Sequence, residues 1–305
     1  LCLGLATFLG FGLWADFAKI GDAIRSFDAW YLVPVLALSL ANYLSRAWRW
    51  HYYLKAAGIP VPAGLSTEVF FSGLALSITP GKLGEVIKVG LLARTVDAPA
   101  ARVFPVVVTE RLLDLVAVLA LTAVGIGRFG QGLGVLVAGL VVTVGFFAVL
   151  ATKPGTRLVF KVVGLVLRRK VGPEAADESH AVQRALLSGR PLAIGLAIAL
   201  AAWLAEALGL WLVVMGFEGS SLDPVLGTFV YASGTLAGAV SFLPGGLVAT
   251  EATLTGMLSP AVFGALPTEA AAVAATLVIR IATLWFAVGL GVVGLLRVRR
   301  RIERM

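Results

Sequence analysis

Apolar residues run along this chain in long blocks, at about 1–18, 29–48, 65–93, 103–126, 132–152, 191–215, 225–258 and 269–296. A helix crosses hydrocarbon with roughly 20 apolar residues, so the pattern predicts membrane-embedded helices throughout. Two blocks are interrupted. The first, 65–93, breaks at Thr79-Pro80-Gly81, and the second, 225–258, breaks at Leu243-Pro244-Gly245-Gly246.

Proline lacks an N–H and restricts the residue before it, so each break is a point where the chain leaves a helix. Glycine then turns the backbone at little steric cost. Irregular backbone at membrane depth persists only where protein or water satisfies its hydrogen bonds. Both blocks are therefore predicted as re-entrant hairpins. The half-helix after each turn starts with free N–H groups and the positive end of its dipole, a setting that suits an anion. Lys82 and Lys88 would add positive charge to the first.

The two hairpins match each other. Pro80-Gly81-Lys82-Leu83 corresponds to Pro244-Gly245-Gly246-Leu247, and glutamates follow at Glu85 and Glu251. A crossing with an embedded arginine comes next in both, Arg111 in one and Arg280 in the other. Each unit thus reads crossing, hairpin, crossing, over 29–126 and 191–296. Inverted repeats with broken helices at matching positions point to a transporter with a midplane site.

Charge orients the chain. Basic connections carry Arg46, Arg49 and Lys55, then Lys153 to Arg190, then the tail "RVRRRIERM", whereas 127–132 and 216–224 are poor in Lys and Arg. Placing the basic connections inside requires both hairpins to return to the face they entered from, in opposite orientations. The expected fold is a single all-α polytopic domain of six transmembrane helices and two re-entrant hairpins, with both termini cytoplasmic. The polar stretch 153–190 is expected to be a cytoplasmic connector of two short helices. The chain begins at Leu1 and shows no secretory signal pattern, which leaves a preceding segment open.

Composition agrees: 59% of residues are hydrophobic and 14% charged, against roughly 25% charged in soluble domains. The net charge of +8 fits a rim facing anionic lipid headgroups rather than nucleic acid. Cys2 is the lone cysteine and the histidines, His51 and His180, are far apart, so neither a metal site nor a cofactor is expected. No Walker loop, G-x-S-x-G or nucleophilic Cys–His set is present, and the chain reads as a transporter rather than an enzyme.

Charges within the apolar blocks carry the chemistry. On a helix Glu110 and Asp114 share a face and Arg111 reaches Asp114. Arg280 is too deep for easy snorkelling and is expected to meet Glu251 or a ligand phosphate. Glu206 either bonds a neighbouring helix or titrates and couples transport to protons. "RAWRWHYYLKAAG", residues 46–58, reads as an interfacial aromatic belt.

Together, "TPGKLGEVIKVGLLAR", "ERLLD" and "LPGGLVATEATL" followed by an arginine crossing resemble the lysylphosphatidylglycerol synthase transmembrane family. That family includes the flippase half of the multiple peptide resistance factor. The resemblance spans roughly 29–296. Its pattern falls on Pro80, Gly81, Gly84, Glu85, Glu110, Arg111 and Asp114, and on Pro244, Gly245, Gly246, Glu251 and Arg280. Val248-Ala249 departs from it, standing where members usually carry Gly-Val. The soluble aminoacyl-transferase domain of fused members is not in this sequence, so aminoacyl-lipid synthesis is not expected.

The resemblance implies a lipid flippase or scramblase of the bacterial inner membrane, with no ATPase of its own. Lys82, Arg111 and Arg280 would bind the headgroup phosphate, while Glu85 and Glu251 pair with the arginines or carry protons. Glu110, Asp114 and Glu206 would support the site or couple protons. The partner would be an anionic lipid: a phospholipid, an aminoacylated lipid or a polyprenyl phosphate. A homo-oligomer is compatible with it. The alternatives are a secondary transporter of a soluble anion and a non-transporting partner of a lipid-modifying enzyme.

Overall fold

The computed structural model describes residues 17–79, 83–130, 133–150, 152–166 and 173–304. The helices are α1 (Phe17–Ser26), α2 (Leu32–Ala56), α3 (Ala63–Leu74), α4 (Ile87–Val96), α5 (Ala100–Phe129), α6 (Leu133–Leu150), α7 (Lys153–Val166) and α8 (Pro173–Leu186). They continue with α9 (Gly189–Met215), α10 (Pro224–Val240), α11 (Ala249–Leu258), α12 (Glu269–Arg280) and α13 (Phe286–Ile302). Short 3-10 turns occupy Ala29–Tyr31 and Leu83–Val86, and a π-turn at Ile281–Trp285 joins α12 to α13.

Among the described residues, three helical segments are long and apolar enough to cross a bilayer: Ala100–Phe129, Gly189–Met215 and Glu269–Ile302. The number rises to five when each of two bent helix pairs counts as one span. The chain is an all-helical polytopic membrane protein. The block expected at 1–18 lies almost wholly outside the described residues, and the loop expected at 16–28 contains α1. Lipid-like faces are plain on α6, where Val137, Leu140, Val141, Val144 and Phe147 are exposed.

Helix starts follow local chemistry. Asp223 caps α10 by accepting from the Val225 and Leu226 amides at 2.7 and 3.2 Å, with Pro224 in the first turn. Thr268 caps α12 by accepting from the Ala271 amide at 3.1 Å. Both predicted breaks are real interruptions: α3 ends at Leu74 and α4 begins at Ile87, while α10 ends at Val240 and α11 begins at Ala249.

Packing crosses between the two halves. α2 lies along α9, α3 along α13, and α10 along α5. The first leg of each interrupted segment therefore rests on the long helix of the other half. Glycine permits this closeness. A Cβ at Gly291 would strike the Ala75 and Leu74 backbone, and one at Gly125 would strike the Phe229 ring. The turn after α10 also comes near the first break, since a Cβ at Gly245 would lie 3.3 Å from the Ile78 Cα.

Within 153–190 the described residues form two helices, α7 and α8, ahead of α9. Arg102 at the start of α5 pairs with Glu178 at 2.6 Å, and Thr156 lies 3.2 Å from buried His180. Arg157 donates to both Asp177 oxygens, at 3.0 and 2.7 Å, and that hydrogen bonding holds the Asp177 carboxyl below the usual carboxylate range.

Candidate functional site

The site grows from one face of α2. Arg46, Arg49, Trp50 and Tyr53 stand at helical spacing and all are buried, whereas Trp48 is 55% exposed and stacks on Tyr52 at 5.7 Å. The interfacial-belt reading of 46–58 thus fails for the inward face. The correction has a simple cause. α9 covers one side of α2, so its basic residues face protein rather than headgroups.

Across from that face, α5 presents Glu110, Arg111 and Asp114. Asp114 accepts from Arg46 Nη2 at 2.7 Å and from Arg49 Nη2 at 2.8 Å, and lies 3.0 Å from Arg111 Nη2. Glu110 pairs with Lys88 of α4 at 2.9 Å and faces Arg49 at 3.8 Å. Glu85, in the turn before α4, lies 3.4 Å from Lys88 and 3.2 Å from Arg111. Four cations therefore face three carboxylates within 4 Å among the described residues. The Nε groups of Arg46, Arg49 and Arg111 make no hydrogen bond there.

Ions taken out of water lose several kcal/mol each on an order-of-magnitude scale, and their partners repay this only with good geometry. The network meets that demand through shared carboxylates rather than isolated pairs. Spare guanidinium N–H groups are the donors that fit phosphate oxygens.

A second centre sits in the other half. Arg280 Nε donates to Glu251 Oε1 at 2.6 Å, and Arg280 Nη2 donates to the Gly245 carbonyl at 2.9 Å. Arg280 of α12 is thus tied to both the turn and α11, which follows it. Gly245 and Gly246 have φ of 63° and 66°, the left-handed region glycine favours. Val248 adopts φ 73° as well, where a β-branched side chain is strained.

Glu206 of α9 accepts from the Tyr231 hydroxyl at 2.7 Å. Tyr43 donates to the Thr283 carbonyl within the π-turn at 2.7 Å. The two centres are thereby linked through α2 and the π-turn that follows Arg280. Pro80, Gly81 and Lys82 lie outside the described residues; Gly84 falls in the Leu83–Val86 turn, and Pro244 opens the second turn. Sequence reasoning left Arg46 and Arg49 out of the site. Their i, i+3 spacing beside Trp50 and Tyr53, on one helix face, was the available signal.

The family model described as "Lysylphosphatidylglycerol synthase TM region" matches residues 1–291. The chain is also similar to a UPF0104 membrane protein of Methanothermobacter thermautotrophicus, at 25% identity over 299 residues covering 90% of this chain and 87% of that protein. With the matched region containing both interrupted segments and every described charge of the two centres, the chain belongs to the lysylphosphatidylglycerol synthase transmembrane-region family.

Proposed function

We propose that the chain moves an anionic, phosphate-bearing lipid between leaflets through a site at membrane depth. The observation that carries this reading is the buried cluster of Arg46, Arg49 and Arg111 around Asp114, with guanidinium N–H groups left over. A phosphate cannot cross roughly 30 Å of hydrocarbon bare, because nothing there replaces its hydration. Such a cluster supplies charge and donors while the acyl tails stay in lipid.

The inverted-repeat reading is part of this proposal. It is supported by the reciprocal contacts of α3 with α13 and α10 with α5, and by the matching pairs Arg111–Glu85 and Arg280–Glu251. Arg111 and Arg280 would exchange their carboxylate partners for the headgroup, with Glu85 and Glu251 reclaiming them afterwards. Lys82, in this reading, extends the first centre. An orientation with both termini cytoplasmic follows the basic ends of the helices, as at Arg299, Arg300 and Arg301 of α13.

The test is leaflet accessibility in proteoliposomes, with phosphatidylglycerol and a short-chain polyprenyl phosphate in parallel. Wild type should move at least one of them, and Arg111→Ala and Arg280→Ala should not while still folded. Movement by both variants at the wild-type rate would remove the site. No lipid movement by folded wild type would favour a soluble-anion transporter or a partner of a lipid-modifying enzyme.

A further inference from the structure

Lys88 is fully buried in a compartment built for an ammonium ion. Its Nζ lies 2.9 Å from Glu110 Oε2 and 3.4 Å from Glu85 Oε2. Aromatic rings close two more sides, with Nζ 4.3 Å from the Trp50 centroid and 5.3 Å from that of Phe70. The stem passes Gly73, where a Cβ would come within 2.9 Å of the lysine Cγ and Cδ. Carboxylates and aromatic faces around one nitrogen are the chemistry by which proteins hold amine ligands. Here the chain fills that cage with its own side chain.

The cage adjoins the headgroup site. Glu85 turns Oε2 to Lys88 and Oε1 to Arg111 Nη1 at 3.2 Å. Arg111 is the most open of the four cations, with its side chain 18% exposed against 0% for Lys88. A lipid phosphate on Arg111 therefore stands one carboxylate away from the ammonium cage. Stability does not by itself call for a lysine here, because buried ion pairs are often replaced by apolar groups without loss.

We infer that Lys88 determines headgroup specificity: it is an internal stand-in for a headgroup amine, occupying the cage of Glu85, Glu110, Trp50 and Phe70. The inference rests on the lipid-transport reading above. An aminolipid with its phosphate on Arg111 would bring a second ammonium to a carboxylate that Lys88 already neutralises. It would meet like charge there, which is discrimination by repulsion. The substrate class is thus an anionic phospholipid without an amine.

The test compares wild type with Lys88→Ala and Lys88→Met, using acyl-labelled phosphatidylglycerol and phosphatidylethanolamine in proteoliposomes. Wild type should favour phosphatidylglycerol by about tenfold, and both variants should bring the ratio close to one. In a second measurement, n-propylammonium should raise the melting temperature of Lys88→Ala by refilling the cage. It should not raise that of wild type or of Lys88→Met, whose cage is already full.

Folded variants that keep the wild-type lipid ratio would overturn the specificity role, as would a Lys88→Ala melting temperature indifferent to n-propylammonium. Should Lys88→Ala not fold, the Lys88→Met ratio decides. If wild type moves neither lipid, the transport reading falls and the specificity role with it. The melting shift would then report separately on whether the cage binds an amine.

Discussion

Arg280 and Glu251 meet at 2.6 Å, joining the π-turned segment of α12 and α13 to α11, the short helix that follows the Pro244-Gly245 turn. Arg111 and Glu85 stand in the same relation in the first half at 3.2 Å. In each half, the arginine of a long helix reaches back to the glutamate just past the preceding break. Both arginines have a second anchor, Asp114 for Arg111 and the Gly245 carbonyl for Arg280.

Removing one member of the second pair should cost more than removing both. Arg280→Ala leaves Glu251 buried and unmatched, with an expected loss of about 3–5 kcal/mol. The double variant Arg280→Ala, Glu251→Ala should recover part of it, giving a coupling of about 1–3 kcal/mol. Denaturant midpoints of the four proteins in one detergent check this. Additive losses would mean the pair is not a unit.

Asp114 is the node of the first network, facing Arg46, Arg49 and Arg111 at 2.7 to 3.0 Å. Asp114→Asn should leave three guanidinium groups competing for Glu85 and Glu110. The expected loss is at least about 3 kcal/mol, greater than for Glu206→Gln, whose described hydrogen bond is to a neutral tyrosine. Thermal melts of the two variants against wild type test the ranking.

Val248 has φ 73° and ψ −57°, a backbone that side chains rarely adopt, while 48% exposed. A non-glycine residue there costs roughly 1–3 kcal/mol, and little packing is at stake. Val248→Gly should therefore gain about 1 kcal/mol after glycine's own entropy cost. A raised melting temperature is the expected readout, and Val248→Ala should gain less.

Gly291 and Gly289 lie two positions apart on α13 with opposite surroundings. A Cβ at Gly291 would collide with the backbone of α3, while one at Gly289 would meet nothing within 4 Å. Gly291→Ala should lose about 1–3 kcal/mol by forcing α3 from α13. Gly289→Ala should be neutral or gain up to about 1 kcal/mol of helix propensity. Parallel melts of the two variants decide whether the contact is as close as described.

Much of the site was legible as residue types and little of it as partnerships. Glu110, Arg111 and Asp114 stood out because charges deep in an apolar block demand partners. Glu85 and Glu251 stood out by their matching distance from the two Pro-Gly turns. Arg46 and Arg49 did not, because a basic helix end beside aromatics looks the same at a lipid interface as beneath a neighbouring helix. The cage around Lys88 was equally hidden, since Trp50 and Phe70 come from two other helices.

The sequence alone determined the helical, membrane-embedded character of the chain and the places where its helices break. Those properties follow from local terms: hydropathy over a helix length, the missing proline N–H, and the need to satisfy every backbone group in lipid. Only the tertiary structure decided which charges neutralise one another. Arg46 finds Asp114 across 68 positions and Tyr43 finds the Thr283 carbonyl across 240. Such pairings depend on α2 packing along α9 and on the interrupted helices exchanging partners, geometry that no local pattern encodes.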